Sequence, residues 1–400
     1  MRALFRGEGW GFGEGRGPGI FLEGEEKEGL CAERLDQIPH VLAALDEIAE
    51  SGNSNLFAAG FISYEGGVFL EGSTSLAREH DFLPFAEFSI FDTRCSAANR
   101  PAPPSPAESS SFTFKEPARA ERALSSDEWT RGVEAIREGI ARGNVYQVNL
   151  SRRIRFSARI DPFAFADALY ADNPVPFAVT LASTDGERAV VSNSPELFLD
   201  VDLAARRAVT KPIKGTIARG EGEADDAARR EELRLSMKDA AENVMIVDLM
   251  RNDLGKVAEA GSVETTSLRA LRSFRHLHHL ESTVEARLRA GTKLSDVLRA
   301  TLPGGSITGA PKRAALGFIR ELEPVSRGAY CGAAGFVRGD GRAVFNVAIR
   351  TAIVGRDTVD YHAGCGIVWD SRPDAEWSEM ESKSREFGAA MAALAARKGE

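Results

Sequence analysis

Three segments of strand-forming residues near the C-terminal end alternate with short turns, and this pattern restricts the fold more than any other feature. Tyr330 to Phe336 and Ala343 to Ile353 flank a turn centred on Gly339-Asp340-Gly341. Gly355-Arg356-Asp357 then leads into Thr358 to Trp369. Such turns join antiparallel strands, because parallel strands need a crossover of about a dozen or more residues. The sequence therefore predicts an antiparallel meander and not a βαβ unit.

Helical segments surround these strands. One helix is predicted from about Ala224 to Leu254, ending at Gly255, a residue type common just after a helix. Another is predicted from about Asp374 to Ala396, because apolar residues recur at the spacing of one helical face. These apolar residues are Trp377, Met380, Phe387, Met391 and Leu394. With a buried strand predicted from Leu56 to Tyr64, the pattern indicates the α+β class.

Composition divides the chain into three regions. Residues 1–95 form a Gly-rich and then mixed N-terminal part, residues 96–120 a linker rich in proline and serine, and residues 121–400 a continuous core. The linker contains Arg100 to Pro106 and Ser109-Ser110-Ser111, which cannot bury enough apolar surface to order themselves. With 43% hydrophobic residues among 400, the chain can bury a sizeable core in one large domain or two closely packed ones.

Charge and composition exclude several functional classes. The net charge is −9, and no basic run indicates a nucleic-acid partner. No apolar run approaches the length of a membrane span, and Met1 to Gly7 shows no secretory hydrophobic region. The four cysteines have neither zinc-like spacing nor the density of a disulfide scaffold, so we expect reduced thiols in a cytoplasmic protein. They are Cys31, Cys95, Cys331 and Cys365.

Two pairs of acids lie three residues apart on predicted helices. Asp239 and Glu242 form one pair, and Glu376 and Glu379 form the other. Residues at this spacing share a helix face, so each pair presents two carboxylates to one point. Two facing pairs suit a hard divalent cation such as Mg²⁺. Taken alone, each pair also fits a simpler interpretation, since acids are common on solvated faces and favoured in a first helical turn.

A glycine-rich loop runs from Pro303 to Lys312. It is not a nucleotide-binding loop, because Gly309 is followed by Ala310-Pro311-Lys312 and not by Lys and Ser or Thr. Pro311 is placed to open a helix, whose first amides could receive a carboxylate. A plain structural turn is the alternative.

Three further segments contain side chains that could perform acid, base or nucleophilic chemistry. In Thr210 to Thr216, a desolvated Lys214 would be a usable nucleophile, although most lysines are solvated. The pair His278-His279 lies among apolar residues, where a histidine is more often a hydrogen-bonded core residue than a catalyst. Glu196 precedes an apolar strand and is either a buried acid with a raised pKa or an exposed strand-end residue.

These motifs occur together and in a fixed order, which makes chance agreement negligible. From about residue 125 to 390 the chain strongly resembles the chorismate-utilising enzymes, which include anthranilate, aminodeoxychorismate, isochorismate and salicylate synthases. The motifs that carry the resemblance are Ser194-Pro195-Glu196, Pro212 to Thr216, Lys238 to Leu254, His278-His279-Leu280, Gly305 to Lys312, Arg327 to Gly332, Ile349-Arg350-Thr351 and Ala363 to Val368.

The resemblance implies a fold of two stacked antiparallel sheets with outer helices, and it implies a magnesium site. Glu242 and Glu379 match the metal ligands of the family, with Asp239 and Glu376 as supporting acids. Asp239 replaces the glutamate of some relatives, so its contact with the cation could run through water. The N-terminal region is short beside many relatives, which argues against the tryptophan pocket that some of them carry there.

The resemblance also implies roles for residues around the substrate. Glu196 matches a general acid, His279 a histidine near the substrate ring, and Tyr330 and Arg350 the groups that hold the enolpyruvyl carboxylate. The loop and strand motifs add Ser306, Thr308, Gly364 and Gly366 to the substrate-binding residues.

Lys214 distinguishes the branches of the family. Anthranilate and isochorismate synthases typically carry a small residue at this position, whereas Pro-Ile-Lys-Gly-Thr is similar to the aminodeoxychorismate branch, in which the lysine is the proposed nucleophile. That branch implies conversion of chorismate and ammonia to 4-amino-4-deoxychorismate, the first step towards p-aminobenzoate and folate. Anthranilate synthase, isochorismate synthase and a non-catalytic chorismate-binding or regulatory subunit are the alternatives.

The resemblance implies a partner as well. Glutamine amidotransferases carry a nucleophile pattern Gly-x-Cys-x-Gly, which fails at Cys331 and at Cys365. We therefore expect ammonia from a separate glutamine amidotransferase subunit or from solution.

Overall fold

Two large antiparallel sheets form the centre of the protein in the computed structural model, which describes residues 1–12, 19–22, 29–92 and 121–396. Within these residues, sheet A has nine strands and sheet B has ten. In chain order the strands are β1 (Arg2–Arg6, A), β2 (Gly19–Leu22, A), β3 (Gly29–Ala32, B), β4 (Asn53–Ile62, B), β5 (Ala86–Asp92, B), β6 (Glu121–Arg122, A), β7 (Gln147–Ser157, A), β8 (Phe177–Ala182, A), β9 (Ala189–Ser194, A), β10 (Leu197–Asp202, B), β11 (Arg207–Lys211, B), β12 (Ile213–Ala218, B), β13 (Glu264–Ser273, B), β14 (Leu277–Arg287, B), β15 (Gly309–Ala310, A), β16 (Ala333–Gly339, B), β17 (Arg342–Val347, B), β18 (Thr351–Val354, A) and β19 (Thr358–Ile367, A).

The spatial order of the strands differs from their order along the chain. Sheet A runs β15-β7-β19-β18-β9-β8-β1-β2, with β6 paired to β7. Sheet B runs β12-β14-β11-β10-β17-β16-β4-β5-β3, with β13 paired to β14. Strand β1 pairs with β8 and strand β4 with β16, so strands from residues 1–95 take part in both sheets. The predicted linker at 96–120 lies outside the described residues.

Helices cover the sheets and supply several site residues. Within the described residues they are α1 (Ile38–Glu50), α2 (Tyr64–Leu70), α3 (Ser126–Ala141), α4 (Pro162–Asp172), α5 (Glu223–Leu235), α6 (Met237–Gly255), α7 (Leu294–Thr301), α8 (Lys312–Leu322) and α9 (Pro373–Ala396). None of these helices is both long enough and apolar enough to cross a membrane.

Aromatic side chains pack the two sheets against each other. Phe5 of sheet A meets Phe336 of sheet B edge-to-face at 5.7 Å between ring centroids. Trp10 lies against both Phe177 and Phe336, at 5.6 and 6.2 Å. Aromatic rings bury more apolar area than other side chains, and edge-to-face pairs add a modest further attraction. The predicted α+β class with two stacked antiparallel sheets is confirmed.

The predicted meander is wrong in one respect. The segment Ala343 to Ile353 is not one strand but two, β17 in sheet B and β18 in sheet A. The chain passes between the sheets at Ala348 to Arg350, and Arg350 has a left-handed φ of 49°. Both strands are buried on both faces, so the apolar pattern continues across the crossing and does not reveal it.

The helix predicted from about Ala224 to Leu254 is also divided, into α5 and α6. The break is at Ser236, whose ψ of 108° is extended and whose Oγ accepts a hydrogen bond from the amide of Asp239. Serine is a good helix cap because its side chain satisfies one of the free first-turn amides. Helix α6 ends at Gly255 as predicted, but Lys256 follows in a right-handed conformation, so no left-handed glycine cap forms.

Two other sequence predictions are close to the structure. Helix α9 matches the predicted final helix within a residue, and Trp377, Met380, Phe387 and Met391 pack into the core, while the side chain of Leu394 lies outside the described residues. The buried strand near residue 60 is β4, which ends before Tyr64 because the capping Ser63 begins helix α2 there.

A buried ion pair joins α6 to the start of α8 and provides a test of the fold. Lys312 Nζ lies 2.7 Å from Asp253, and the side chain of Lys312 is only 6% exposed. Lys256 contacts the same carboxylate at 2.9 Å, but its side chain is 43% exposed. We expect Lys312→Met to lower the free energy of unfolding by about 3 kcal/mol, since it removes the buried partner of a buried charge.

The matched control is Lys256→Met, which should cost less than about 1 kcal/mol because solvent screens the exposed partner. Urea unfolding of both variants measures the difference. Equal costs would contradict the assignment of Lys312 as the main partner of Asp253.

Candidate functional site

Predicted site residues from both sheets and from two helices lie close to one another. Glu242 on α6 is the centre of this group. Its Oε1 lies 2.9 Å from Lys214 Nζ and accepts a hydrogen bond from Gln147 Nε2 at 2.7 Å. Burial raises the pKa of Glu242, but Lys214 and Gln147 outweigh it and leave the pKa below its ordinary value. Glu242 is therefore a carboxylate.

The second acid pair lies at the start of α9. Glu376 is buried and accepts a hydrogen bond from Ser371 Oγ at 2.7 Å, and burial raises its pKa. Glu379 makes an ion pair with Lys383 at 2.8 Å. The desolvation cost at Glu379 is outweighed by Lys383, so its pKa is lowered. This pair therefore presents two unlike acids, one that favours the protonated form and one that favours the charged form.

Helix α6 and the start of α9 lie close together, because Lys238 Nζ is 4.0 Å from Glu376 Oε1. The charges of Glu242 and Glu379 act on one another, and Lys238 of α6 acts on both. Asp239 lies beside the backbone of Gly215, where an added Cβ would approach the Asp239 Cβ to 3.1 Å. The structure thus brings Glu242 and Glu379 together, while Asp239 lies next to the turn that contains Lys214.

The donor set fits a hard divalent cation. Glu242 and Glu379 supply carboxylate oxygens, the ligands that Mg²⁺ prefers. Gln147 is 1% exposed, and its Oε1 has no hydrogen-bond partner among the described residues, although its Nε2 is bonded to Glu242. A buried amide oxygen without a partner is costly unless it meets a donor, water or cation. These residues could therefore hold Mg²⁺.

Glu196 is a buried acid, as one of the two interpretations of its sequence predicted. It lies where the chain passes from β9 in sheet A to β10 in sheet B. The residue is 4% exposed, and its Oε1 accepts a hydrogen bond from Ser306 at 2.8 Å. Burial raises the pKa of Glu196 to about 7, against the opposing effects of Ser306 and Lys214. A carboxyl group with this pKa can donate a proton near neutral pH.

The glycine-rich loop positions Ser306 but not Thr308. Ser306 Oγ points at Glu196, whereas Thr308 Oγ1 donates to the carbonyl of Gly304 within the loop at 2.9 Å. Thr308 is fully buried. Its hydroxyl therefore stabilises the loop and does not face the acids. Pro311 caps α8, so the predicted helix start is confirmed.

The two adjacent histidines have different surroundings. His278 lies between Ser273 Oγ and Asp226 Oδ1, at 2.8 and 2.9 Å, away from the acid pairs. His279 faces Thr216 Oγ1 at 2.7 Å, two residues after Lys214. Burial, together with the nearby charge of Arg350, lowers the pKa of His279 to about 3. His279 is therefore neutral at physiological pH and can polarise or orient but not donate as a cation.

Arg350 lies on the second chain crossing, whereas Tyr330 precedes β16. The charge of Arg350 acts on both His279 of sheet B and Lys383 of α9. Its carbonyl accepts from the amide of Asn193, and the Glu196 carbonyl accepts from the amide of Val347, at 3.1 and 3.0 Å. Backbone hydrogen bonds therefore join the two crossings that contain Glu196 and Arg350 to each other.

Tyr330 is buried and stacks on His362, with centroids 5.1 Å apart and planes 13° from parallel. Arg327 lies over the Tyr330 ring at 5.9 Å and makes an ion pair with Glu323 at 2.6 Å. This packing fixes the ring in place.

Gly364 and Gly366 of β19 both exclude a side chain, but for different physical reasons. A Cβ at Gly364 would lie 2.4 Å from the Leu150 carbonyl, so a side chain would break the pairing of β19 with β7. At Gly366 a Cβ would lie 2.1 Å from Gln147 Nε2 and 3.0 Å from Glu242 Oε1. Gly366 therefore keeps space open beside Glu242.

Sequence reasoning missed the amines and the amide that surround the acids. Lys383 could have been found, because it follows Glu379 by four residues on a predicted helix, a spacing that favours ion pairs. Lys238 could have been found in the same way, because it precedes Glu242 by four residues on the other predicted helix. Gln147 is distant in sequence from both acid pairs, and only the tertiary structure brings it to Glu242.

Comparison with known proteins relates this site to one family. The chain matches the family described as chorismate binding enzyme over residues 22–388. It is 39% identical over 309 residues to the aminodeoxychorismate synthase component 1 of Klebsiella aerogenes, covering 77% of this chain and 67% of that protein. It is 43% identical over 262 residues to the anthranilate synthase component 1 of Streptomyces coelicolor, covering 66% of this chain and 51% of that protein. The chain thus spans about half the length of several of the curated relatives that it matches.

Solved structures share the fold. The anthranilate synthase component I of Streptococcus pneumoniae gives a TM-score of 0.73 at 24% identity, covering 97% of this chain and 90% of that one. The menaquinone-specific isochorismate synthase of Escherichia coli gives a TM-score of 0.73 at 19% identity, covering 97% and 88%. At these identities the similarity concerns the fold alone.

The raised pKa of Glu196 predicts a pH-dependent stability. The pKa is about 7 in the folded protein against an ordinary value of 4.5. Because the folded pKa is raised, the stabilising effect is complete below the unfolded pKa and is lost as the pH rises through the folded one. We expect Glu196→Gln to be nearly neutral at about pH 4. At about pH 8 it should raise the free energy of unfolding by about 3 kcal/mol.

Glu285→Gln is the control with the opposite sign. The hydrogen bond from Arg207 lowers the pKa of Glu285, so this variant should lose stability, not gain it, as the pH rises above its unfolded pKa. Urea unfolding across the pH range measures both. A pH-independent difference for Glu196→Gln would show that its pKa is not raised.

Proposed function

The chain belongs to the chorismate binding enzyme family, and from this premise we propose that it converts chorismate and ammonia to 4-amino-4-deoxychorismate, as the synthase component of p-aminobenzoate and folate synthesis. The observation that carries the proposal is the position of Lys214. Its Nζ contacts the Glu242 carboxylate at 2.9 Å, and its charge acts on the buried acid Glu196. An amine between a proton donor and a cation-binding carboxylate is suited to covalent catalysis.

Glu196 would act first, as the acid. Its pKa of about 7 keeps a substantial fraction protonated at neutral pH, and Ser306 orients the carboxyl group. The proton would pass to the ring hydroxyl of chorismate as the carbon–oxygen bond breaks and water leaves. Glu196 would be left as a carboxylate near the charge of Lys214.

Lys214 would then act as the nucleophile in its neutral form. In the free protein Lys214 Nζ makes an ion pair with Glu242 at 2.9 Å. The amine would form a bond to the ring carbon next to the one that carries the carboxylate, as the hydroxyl departs.

Ammonia would complete the reaction by attacking the carbon that lost the hydroxyl. The bond to Lys214 would break in this step, so the lysine returns unchanged and pyruvate stays attached to the ring. Two successive displacements place the amine on the face that the hydroxyl left. Formation of p-aminobenzoate would then need a separate lyase.

Mg²⁺ held by Glu242 and Glu379 would bind the ring carboxylate and offset the substrate charge in an acidic protein. Asp239 and Glu376 would support these ligands. Arg350 and Tyr330 would hold the enolpyruvyl carboxylate, and His279, neutral and bonded to Thr216, would orient the ring.

Ammonia would come from a separate glutamine amidotransferase subunit. The support is that the amidotransferase nucleophile pattern fails at Cys331 and at Cys365. Both residues are buried, and burial raises the pKa of each thiol. Relatives named component 1 are consistent with a second component.

The closest alternative is anthranilate synthesis, because the anthranilate synthase component 1 of Streptomyces coelicolor is 43% identical. The same site would then deliver ammonia to the carbon that Lys214 attacks in our proposal. Lys214 occupies that position, which favours amination at the other carbon. The deciding experiment incubates the purified chain with chorismate, Mg²⁺ and ammonium and identifies the product by mass spectrometry and chromatography.

Activity with chorismate should depend on Mg²⁺ and on both facing acids. We expect Glu242→Gln and Glu379→Gln each to lower kcat/KM by about a hundredfold or more, because each leaves the cation with too few hard ligands. Asp248→Asn on the outer face of α6, where the side chain is 64% exposed, is the matched control and should keep wild-type activity. Calorimetric Mg²⁺ titration of all three variants separates lost binding from lost chemistry. Full activity of the wild type in excess EDTA would overturn the magnesium requirement.

Lys214→Ala should lower aminodeoxychorismate formation by about a hundredfold or more, since it removes the covalent path. It also opens space beside the same ring carbon, so we expect a trace of anthranilate or isochorismate-like product. The measurement is product analysis at saturating ammonium, with intact-protein mass spectrometry of the wild type to detect a chorismate adduct.

Lys211→Ala is the control for this prediction. Lys211 lies on β11, three residues before Lys214 and outside the ion pair with Glu242, so its loss should have a much smaller effect. If Lys214→Ala keeps the wild-type rate and product, the lysine is not the nucleophile and the proposed branch loses its main support.

A further inference from the structure

A buried acid of the N-terminal part holds the segment that contains Tyr330. Glu65 is the second residue of α2 and is 3% exposed. Its Oε1 accepts a hydrogen bond from the amide of Arg327 at 2.7 Å, and its Oε2 accepts one from the amide of Gly328 at 3.0 Å. The amide of Tyr64 donates to the Gly328 carbonyl at 2.8 Å. Three hydrogen bonds therefore tie the start of α2 to this segment.

The segment needs such anchors because it has no regular structure of its own. Residues 327–332 lie between α8 and β16, in neither a helix nor a strand. Gly328 and Cys331 have left-handed φ angles of 60° and 64°. A residue other than glycine rarely adopts this conformation unless its surroundings hold it there. The amide of Cys331 donates to the Ala348 carbonyl at 2.9 Å. Tyr330 therefore lies between two anchors, one on α2 and one at the second chain crossing.

The Arg327 side chain is anchored independently of Glu65. Its guanidinium group donates to the Ile307 carbonyl in the glycine-rich loop at 3.0 Å and makes the ion pair with Glu323. Loss of the Glu65 carboxylate would therefore leave the guanidinium in place. It would release the two backbone amides from which the chain continues to Tyr330.

Both hydrogen bonds to Glu65 need a carboxylate. An ionised carboxyl group has two acceptor oxygens, whereas an amide side chain has one and would present its own donor to the second amide. Burial raises the pKa of Glu65 to about 7, against the two backbone hydrogen bonds and the charge of Arg327. Measurements at about pH 8 therefore concern mainly the ionised form.

We propose that Glu65 is a positioning residue, which fixes the Tyr330 ring where it meets the enolpyruvyl carboxylate of chorismate. The role of Tyr330 as a substrate contact rests on the proposed function, whereas the position of its ring is a property of the protein alone. The N-terminal part thus contributes to substrate binding without touching the substrate.

Glu65→Gln should raise KM for chorismate by about tenfold at about pH 8 and change kcat by less than about threefold. A contact made equally in the ground and transition states affects KM alone, and the loop that holds Ser306 keeps its contact with Arg327. Asp46→Asn is the matched control, since Asp46 is also a buried carboxylate that accepts from a backbone amide, that of Ser295 at 2.9 Å. It should cost stability and leave KM unchanged.

A double-mutant cycle tests whether Glu65 acts through Tyr330. Tyr330→Phe should raise KM by itself, and Glu65→Gln in that background should add less than about twofold. Additive effects of the two changes on KM would contradict the proposal, because Glu65 would then act on the substrate by another route.

Fluorine NMR of the full chain labelled with 3-fluorotyrosine follows the ring without any reaction. The chain has five tyrosines, and the resonance lost in Tyr330→Phe identifies the ring. We expect this resonance to move in Glu65→Gln and in Glu65→Asp, which keeps the charge but is too short to reach both amides, and to stay in place in Asp46→Asn.

A resonance that stays in place in folded Glu65→Asp would overturn the proposal, since any shift in Glu65→Gln would then come from the lost charge. A displaced resonance in both variants with unchanged KM would support positioning by Glu65 and count against the role of Tyr330 in substrate binding.

Discussion

Packing of the two sheets face to face is the constraint on which the rest of the structure depends. The aromatic cluster of Phe5, Trp10 and Phe336 fills the space between them. A chain that contributes strands to both sheets must pass between them, and two such passages lie side by side. One contains Glu196 and the other Arg350. The site is therefore built where backbone leaves one sheet for the other, in a region that is buried yet free of regular strand pairing.

The electrostatics of the site follow from this burial. Burial raises the pKa of Glu196 to about 7, whereas Glu242, which contacts Lys214, stays ionised. Acids whose surroundings move their pKa values in opposite directions can perform different tasks in one site. Lys214, Lys238 and Lys383 balance the acids in the free protein.

Family membership and the choice of reaction rest on different evidence. The match over residues 22–388 covers most of the chain. Relatives named for two different reactions are 39% and 43% identical, so overall identity does not distinguish between those reactions. Our proposal separates them by a single side chain, Lys214, which contacts Glu242 at 2.9 Å. Product identity is therefore the measurement that matters.

The sequence alone determined the structural features that depend on the local pattern of residues. The α+β class, helix α9, the helix start at Pro311 and the i, i+3 acid pairs follow from spacing and capping, and ordered motifs indicated the family. Only the tertiary structure decided that Ala343 to Ile353 divides between two sheets and that α5 and α6 break at Ser236. It also decided that Gln147 meets Glu242 and that Cys365 lies within 4.8 Å of Glu379. Burial on both faces hides a sheet change from the apolar pattern, and contacts between distant strands leave no trace in local spacing.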